Sequence, residues 1–244
     1  MKLSHITFAG VDIATNIRTV KMLKEQFPFA QFAICTSFEC NKNIFANPRF
    51  IASIPAKADF DFFLEINGKA AECIQKGDWT KIDLLTEYSR LLNKIKLNIA
   101  NNKFIAEAPK NIPAWIKEIT IQENYIYNTW RYRVFLEQCK PNNKINLFIE
   151  NIDFKANYEK VLTLNNTIKF KKLPKIGFNT DFDTITVAQT LYELLNINQN
   201  IEFWLEVRNA VRTDEWMDLY KVQKTLLLCE AIILDHEKKT NKTK

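Results

Sequence analysis

The stretch IEFWLEVRNAVRTDEW, Ile201 to Trp216, decides how the rest of the chain is read. Ile201, Phe203, Leu205 and Val207 alternate with Glu202, Trp204, Glu206 and Arg208. Successive side chains of a strand point to opposite faces. The segment therefore predicts a strand with one hydrocarbon face and one face carrying two carboxylates, an indole and a guanidinium. Strands covered on both sides in a parallel sheet are normally apolar throughout. The alternation asks for a second face that is enclosed yet polar.

The same pattern recurs upstream. Phe60, Phe62, Leu64 and Ile66 alternate with Asp61, Phe63, Glu65 and Asn67. Ile95, Leu97 and Ile99 alternate with Lys96, Asn98 and Ala100. Ile119 and Ile121 alternate with Thr120, Gln122 and Asn124, and Ile145, Leu147 and Ile149 with Asn146, Phe148 and Glu150. Strand-like segments alternate with helical spacing from LSHITFAG (3–10) onward, giving eight strand–helix units, with the short PAWIKE (113–118) serving the fourth. Such alternation implies parallel pairing through right-handed crossovers. Eight units in 244 residues fit a (β/α)8 TIM barrel, which typically takes ~250. The expected fold is α/β, a single-domain (β/α)8 TIM barrel over residues 1–234 with a partly polar interior. An open doubly wound sheet is the alternative, and it normally carries a glycine-rich first turn that this chain lacks.

Composition narrows the function. The chain is 47% hydrophobic and 25% charged, ordinary values for a globular protein. It has only 4 glycines, where average usage of ~7% would place about 17. Gly10, Gly68 and Gly177 fall at or near expected strand ends, where backbone turns tightly. Net charge is +6, and DHEKKTNKTK (235–244), with four Lys against Asp235 and Glu237, predicts a basic disordered tail. The remaining basic residues are scattered, so no nucleic-acid partner is expected. TWRYRVFLEQC (129–139) is read as an amphipathic outer helix rather than a base-stacking patch. Five cysteines without a CxxC, and two histidines, leave few metal ligands, and neither metal nor cofactor is expected. No secretory signal or membrane-length apolar run occurs, and a cytoplasmic location follows as the default.

In a barrel the mixed faces converge on the axis. Glu65, Asn98, Gln122, Glu150 and Glu206 then meet at the C-terminal mouth, where active sites of that fold sit. Lys96 is expected deeper, paired with Asp61 or Glu202, since an unpaired buried charge is costly. Trp204 fills the interior or stacks on a planar ligand. Cys35 reads as a small buried hydrophobe.

Four segments carry a family resemblance: ITFAGVD, LKEQFPFAQFAICTS, NPRF and WLEVRNAVRTDEWMDLYKV. Together they resemble phosphoribosylanthranilate isomerase-like proteins, barrels distantly related to the isomerase of tryptophan biosynthesis. The resemblance implies a cysteine before the first strand's glycine, where this chain has Ala9. It implies phosphate-binding glycines after strands 7 and 8, where this chain has Thr180–Asp181 and Asn209–Ala210. It places the family's catalytic acid nearest Glu150 and matches Glu206 to an acidic position of strand 8. Arg208 stands where relatives tend to carry an acid. Pro48–Arg49 matches a Pro-Arg pair after strand 2, and Arg212 and Asp218 match the strand-8 tail.

Two functions follow as expectations. In the first, the protein binds a small anionic sugar-phosphate or nucleotide-like ligand at the mouth without true phosphoribosylanthranilate isomerase activity. Asp12, Arg49, Asn98, Gln122, Arg208 and Arg212 are its candidate ligand-binding residues. The arginines suit a phosphate or carboxylate because they bond in bidentate fashion. In the second, it is an isomerase or lyase of phosphorylated sugars, with Glu65, Glu150 and Glu206 as acid and base, since neighbouring carboxylates push each other's pKa values apart. The first leads because the isomerase's cysteine and phosphate glycines are both absent.

Overall fold

The computed structural model describes residues 1–37, 48–54, 60–80, 82, 92–98, 112–123, 145–149, 175–180, 183–197 and 201–242. Eight parallel strands form one sheet: β1 (Lys2–Ala9), β2 (Ala30–Thr36), β3 (Phe63–Asn67), β4 (Lys94–Asn98), β5 (Glu118–Glu123), β6 (Ile145–Ile149), β7 (Ile176–Asn179) and β8 (Glu202–Val207). They are hydrogen-bonded in chain order, and the sheet curls until β8 pairs with β1, Glu206 level with Thr7 and Val207 with Phe8. Five α-helices accompany it among the described residues: α1 (Ile17–Gln26), α2 (Pro48–Ser53), α3 (Gly68–Gln75), α4 (Thr184–Leu195) and α5 (Leu219–Lys242).

This architecture corrects the expected (β/α)8 TIM barrel. An α/β fold with a curled parallel sheet is present, but eight strand–helix units are not found among the described residues. PAWIKE, read as the fourth unit's helix, is a turn in which the Ile116 amide donates to the Pro113 carbonyl at 3.0 Å. It runs directly into β5. Helix α2 is only six residues long. Between β8 and α5 the chain inserts a 3-10 turn (Asn209–Val211) and a two-stranded hairpin, β9 (Arg212–Thr213) with β10 (Trp216–Met217). Helical spacing of a few apolar residues matches a turn packed on the core as well as it matches a helix. The outer helix expected at 129–139 lies outside the described residues.

The disordered tail is corrected too, because α5 continues to Lys242. No Gly or Pro interrupts it. An Asp235–Lys239 pair at 2.6 Å, spaced i to i+4, supports its last turns. No helix among the described residues is long and apolar enough to cross a membrane.

Local signals set the elements. The Asn16 side chain caps α1 by accepting from the Arg18 and Thr19 amides, and Ile17, Val20 and Leu23 are then buried. Asp183 caps α4 by accepting from the Thr186 amide at 2.8 Å. The alternating strand residues split into two apolar layers. Ile6, Phe8, Leu64, Phe178 and Leu205 face outward into the large core shared with the helices. Ala9, Ala33, Cys35 and Phe63 form a small cluster on the concave side. Each large side chain so buried contributes about 1.5–3 kcal/mol.

Gly177 is inside β7 rather than at its end, which corrects its reading as a strand-end glycine. A Cβ there would lie 2.2 Å from the Trp204 ring and 2.7 Å from Phe148. Trp204 therefore fills the concave side against Gly177, stacked on His5 at 5.7 Å between centroids. We predict that Gly177→Ala lowers stability by about 1–3 kcal/mol through overpacking, measured by urea denaturation. Trp204→Phe in that background should recover part of the loss.

His5 lies between Phe63 and Trp204 at the N-terminal end of the sheet, with stacked rings on both sides. Burial, then the charges of Lys94, Lys175 and Lys24, hold its pKa down to about 3 from 6.5. As pH falls through 6.5 the unfolded chain takes up a proton that the folded chain refuses until about 3. The neutral His5 thus supports the fold fully above pH 6.5, and that support is lost progressively toward pH 3. Denaturation midpoints should fall between pH 7.5 and pH 5, and fall less in His5→Phe.

Candidate functional site

Strand register carries polar side chains to the C-terminal end of the concave side. Glu65 is level with Cys35 and Lys96, Asn67 with Asn98, and Asn179 with Glu206. Four of these residues, with Arg208 just after β8, join Glu65 and Glu206 in one network. Lys96 Nζ donates to Glu206 Oε1 at 2.6 Å. Arg208 Nη2 donates to the same oxygen at 3.3 Å and also bonds Glu65 Oε1. Asn98 Nδ2 donates to Glu65 Oε1, and at 2.9 Å to Asn67 Oδ1. Cys35 Sγ donates to Glu65 Oε2 at 3.1 Å. The Lys96 ammonium also sits 3.4 Å from the Phe148 ring centroid, a cation–π contact.

The network holds two carboxylates and two cations, so its formal charge cancels. That balance is what permits burial, since an isolated ion in such surroundings is strongly disfavoured. The two acids are nevertheless unlike. Burial works against charge on Glu65, but Arg208 and Lys96, with hydrogen bonds from Cys35 and Arg208, hold its pKa down to about 2. Burial pushes Glu206 above the usual carboxylate range, and the Glu65 charge adds to this against the pull of Lys96 and Arg208. Burial, then Glu65, raises the Cys35 thiol well above its ordinary value, so Cys35 stays protonated and donates.

The expected residues separate into groups. Glu65, Glu206, Asn98 and Arg208 come together. Lys96 joins them, and its expected pairing with Asp61 or Glu202 is corrected. Register sets Lys96 level with Glu65, while Glu202, at the far end of β8, pairs with Lys175 at 3.4 Å. Asp12 and Arg212 form a separate clamp. The Asp12 carboxylate accepts from the Ala14 and Met217 amides and the Thr15 hydroxyl. Arg212 Nη2 donates to the Gly10 carbonyl at 2.9 Å, and Nη1 lies 3.8 Å from Asp12. Gly10 has φ +94°, and a Cβ there would lie 1.7 Å from Arg212 Nη2, so only glycine fits. This clamp ties the loop after β1 to the hairpin after β8. Arg49 is an exposed residue of α2. Gln122 belongs to β5. Glu150 and Asp181 lie outside the described residues.

Asn67 and Asn179 were not among the expected ligand-binding residues. Alternation alone marks both as inward, and it was the available signal. Asn98 Oδ1 and Asn179 Oδ1 are buried and accept no hydrogen bond among the described residues, as is true of Thr7 Oγ1 and Thr120 Oγ1 deeper in the sheet. Among the described residues no group of three or more His, Cys, Asp or Glu is arranged to hold a metal ion. Comparison with protein-family models, curated proteins and solved structures gives no match for this chain.

Breaking the network on one side should cost more than removing a pair. Lys96→Met leaves Glu65 and Glu206 sharing the single cation Arg208 and is predicted to destabilise by about 3–5 kcal/mol. The double variant Lys96→Met with Glu206→Leu should recover much of that, read as a non-additive cycle in urea denaturation.

Proposed function

We propose that the protein binds a small anionic molecule at the C-terminal ends of its strands, of the sugar-phosphate or nucleotide-like kind that the sequence resemblance suggests. The observation that carries this reading is the orientation of the charge network. The Arg208 side chain is 21% exposed, whereas Glu65, Glu206 and Lys96 are at 0%, 5% and 5%. A molecule approaching this cluster meets a guanidinium and finds the carboxylates behind it. Planar guanidinium donors suit a phosphate or carboxylate. Binding without the isomerase reaction is favoured because Ala9 replaces the resembled family's cysteine. Thr180–Asp181 also stands where the resembled family has a glycine pair, and Asn209–Ala210 where it has a Ser-Gly, whose backbone would otherwise approach a phosphate.

A second reading rests on a different observation. Glu206 is raised and Glu65 lowered although both bond Arg208. A split pair of this kind sets a carboxyl that takes up a proton more readily beside one that stays anionic, the division of labour an isomerase or lyase needs. Turnover that disappears in folded Glu206→Gln would favour this reading.

Mass spectrometry of molecules retained through native purification, followed by calorimetric titration of the same molecules and of inorganic phosphate, tests the binding reading. Arg208→Gln should weaken affinity about 10–100-fold, in line with ~1.5–3 kcal/mol for a charged hydrogen bond, and Arg208→Lys by less. Unchanged affinity in a folded Arg208→Gln protein would sink the proposal.

A further inference from the structure

We infer that α5 is the contact between two copies of this chain, paired antiparallel along the side of the helix that faces solvent. The inference does not depend on the anion-binding reading. Val222, Leu226 and Cys229 are fully buried and seat α5 on the core. A helix seated in this way normally turns a polar face outward. Here the outward face is apolar. Tyr220, Leu227 and Leu234 recur at every seventh position and are 75%, 48% and 48% exposed. Ala231 is exposed between the last two. At about 3.6 residues per turn these four form one stripe opposite the buried residues. The steps from Leu227 to Ala231 to Leu234 have the spacing of a coiled-coil seam. Helix α4 packs alongside, with the Thr184 and Thr225 hydroxyls 3.3 Å apart, and it exposes Ile185 and Tyr192. Of the eight large apolar residues exposed among the described residues, six stand on these two helices. Single exposed apolar residues are ordinary, but a cluster of them marks a contact surface.

Charge selects the occupant and its direction. Lys224 and Lys238 continue the stripe at its two ends. Parallel copies would set Lys224 against Lys224 and Lys238 against Lys238. Antiparallel copies centred on Cys229 avoid both clashes. Leu227 then faces Ala231 of the second copy, and Ala231 faces its Leu227. Lys224 faces Leu234, where its stem covers the leucine and its ammonium reaches Asp235. Asp235 already pairs with Lys239 inside its own helix, and a carboxylate has room for both donors. Tyr220 faces Lys238, a cation–π pairing. Every contact occurs twice, as a two-fold pair requires. An anionic membrane suits this surface less well, because it would meet the exposed Asp235 and Glu237 beside the lysines.

Sedimentation equilibrium of the intact protein tests this. A dimer should form whose fraction rises with concentration. Leu227→Asp changes an exposed position and should leave the urea-denaturation midpoint nearly unchanged while weakening dimerisation at least about tenfold. Leu234→Asp repeats the test if the first variant fails to fold. Lys224→Glu should also weaken the dimer, and adding Asp235→Lys should restore it. A monomer at every soluble concentration, or a dimer indifferent to both aspartate variants, overturns the inference. A double variant that regains nothing overturns the antiparallel register. A monomer that binds phosphatidylserine vesicles, and loses them on Leu227→Asp, would assign the surface to a membrane instead.

Discussion

A neutralised cluster of four ions inside a curled sheet is the constraint on which the rest of this structure depends. Lys96, Arg208, Glu65 and Glu206 come from three strands and the residue after one of them. Each is tolerable in its place only because the others are in theirs. Their mutual attraction does not make the cluster a cheap source of stability, since desolvation offsets much of it. What it supplies is definition. Slipping any contributing strand by one residue would turn its ion into the outer hydrocarbon layer, so the cluster and the large core enforce the same register from opposite sides of the sheet.

The aromatic packing beneath the ions extends this logic. Trp204 and Glu206 are neighbours on one face of β8, and the indole fits because β7 carries Gly177 beside it. Phe148 serves both zones, meeting Trp204 at 6.2 Å and the Lys96 ammonium at 3.4 Å. The concave side is therefore graded along the strands. His5, Trp204 and Phe63 fill the N-terminal part with rings, and charge and amide groups occupy the C-terminal part.

Much of this grading was legible in the sequence, because period-two alternation is a local property. It correctly separated Phe203 and Leu205 from Trp204 and Glu206, and it sent Glu65, Lys96 and Asn98 inward. What it could not supply was height. The partner of Lys96 depends on which residue of β3 stands beside it, and that register is fixed by packing between segments far apart in the chain. The helices failed for a related reason. Ala114 to Ile116 and the residues after Val207 carry apolar spacing, yet a turn buries Ile116, and a 3-10 turn and hairpin bury Val211 and Met217, without a helix. Asp12 and Arg212 were read from the sequence as candidate ligand-binding residues. Their bonds to backbone at Met217 and Gly10 show a structural duty that no single-segment pattern encodes.

The pairing of β1 with β8 has a consequence for how the chain is made. Lys2 lies beside Glu202, so the first of these eight strands to leave the ribosome must wait for the eighth. At about 5–20 residues per second the interval is on the order of 10–40 seconds. Throughout it β1 exposes a row of unsatisfied amides and carbonyls along one margin, beside the apolar side chains Ile6 and Phe8. Such margins recruit other nascent chains. Production of this protein should depend on the pace of translation and on the chaperones that meet it during those seconds.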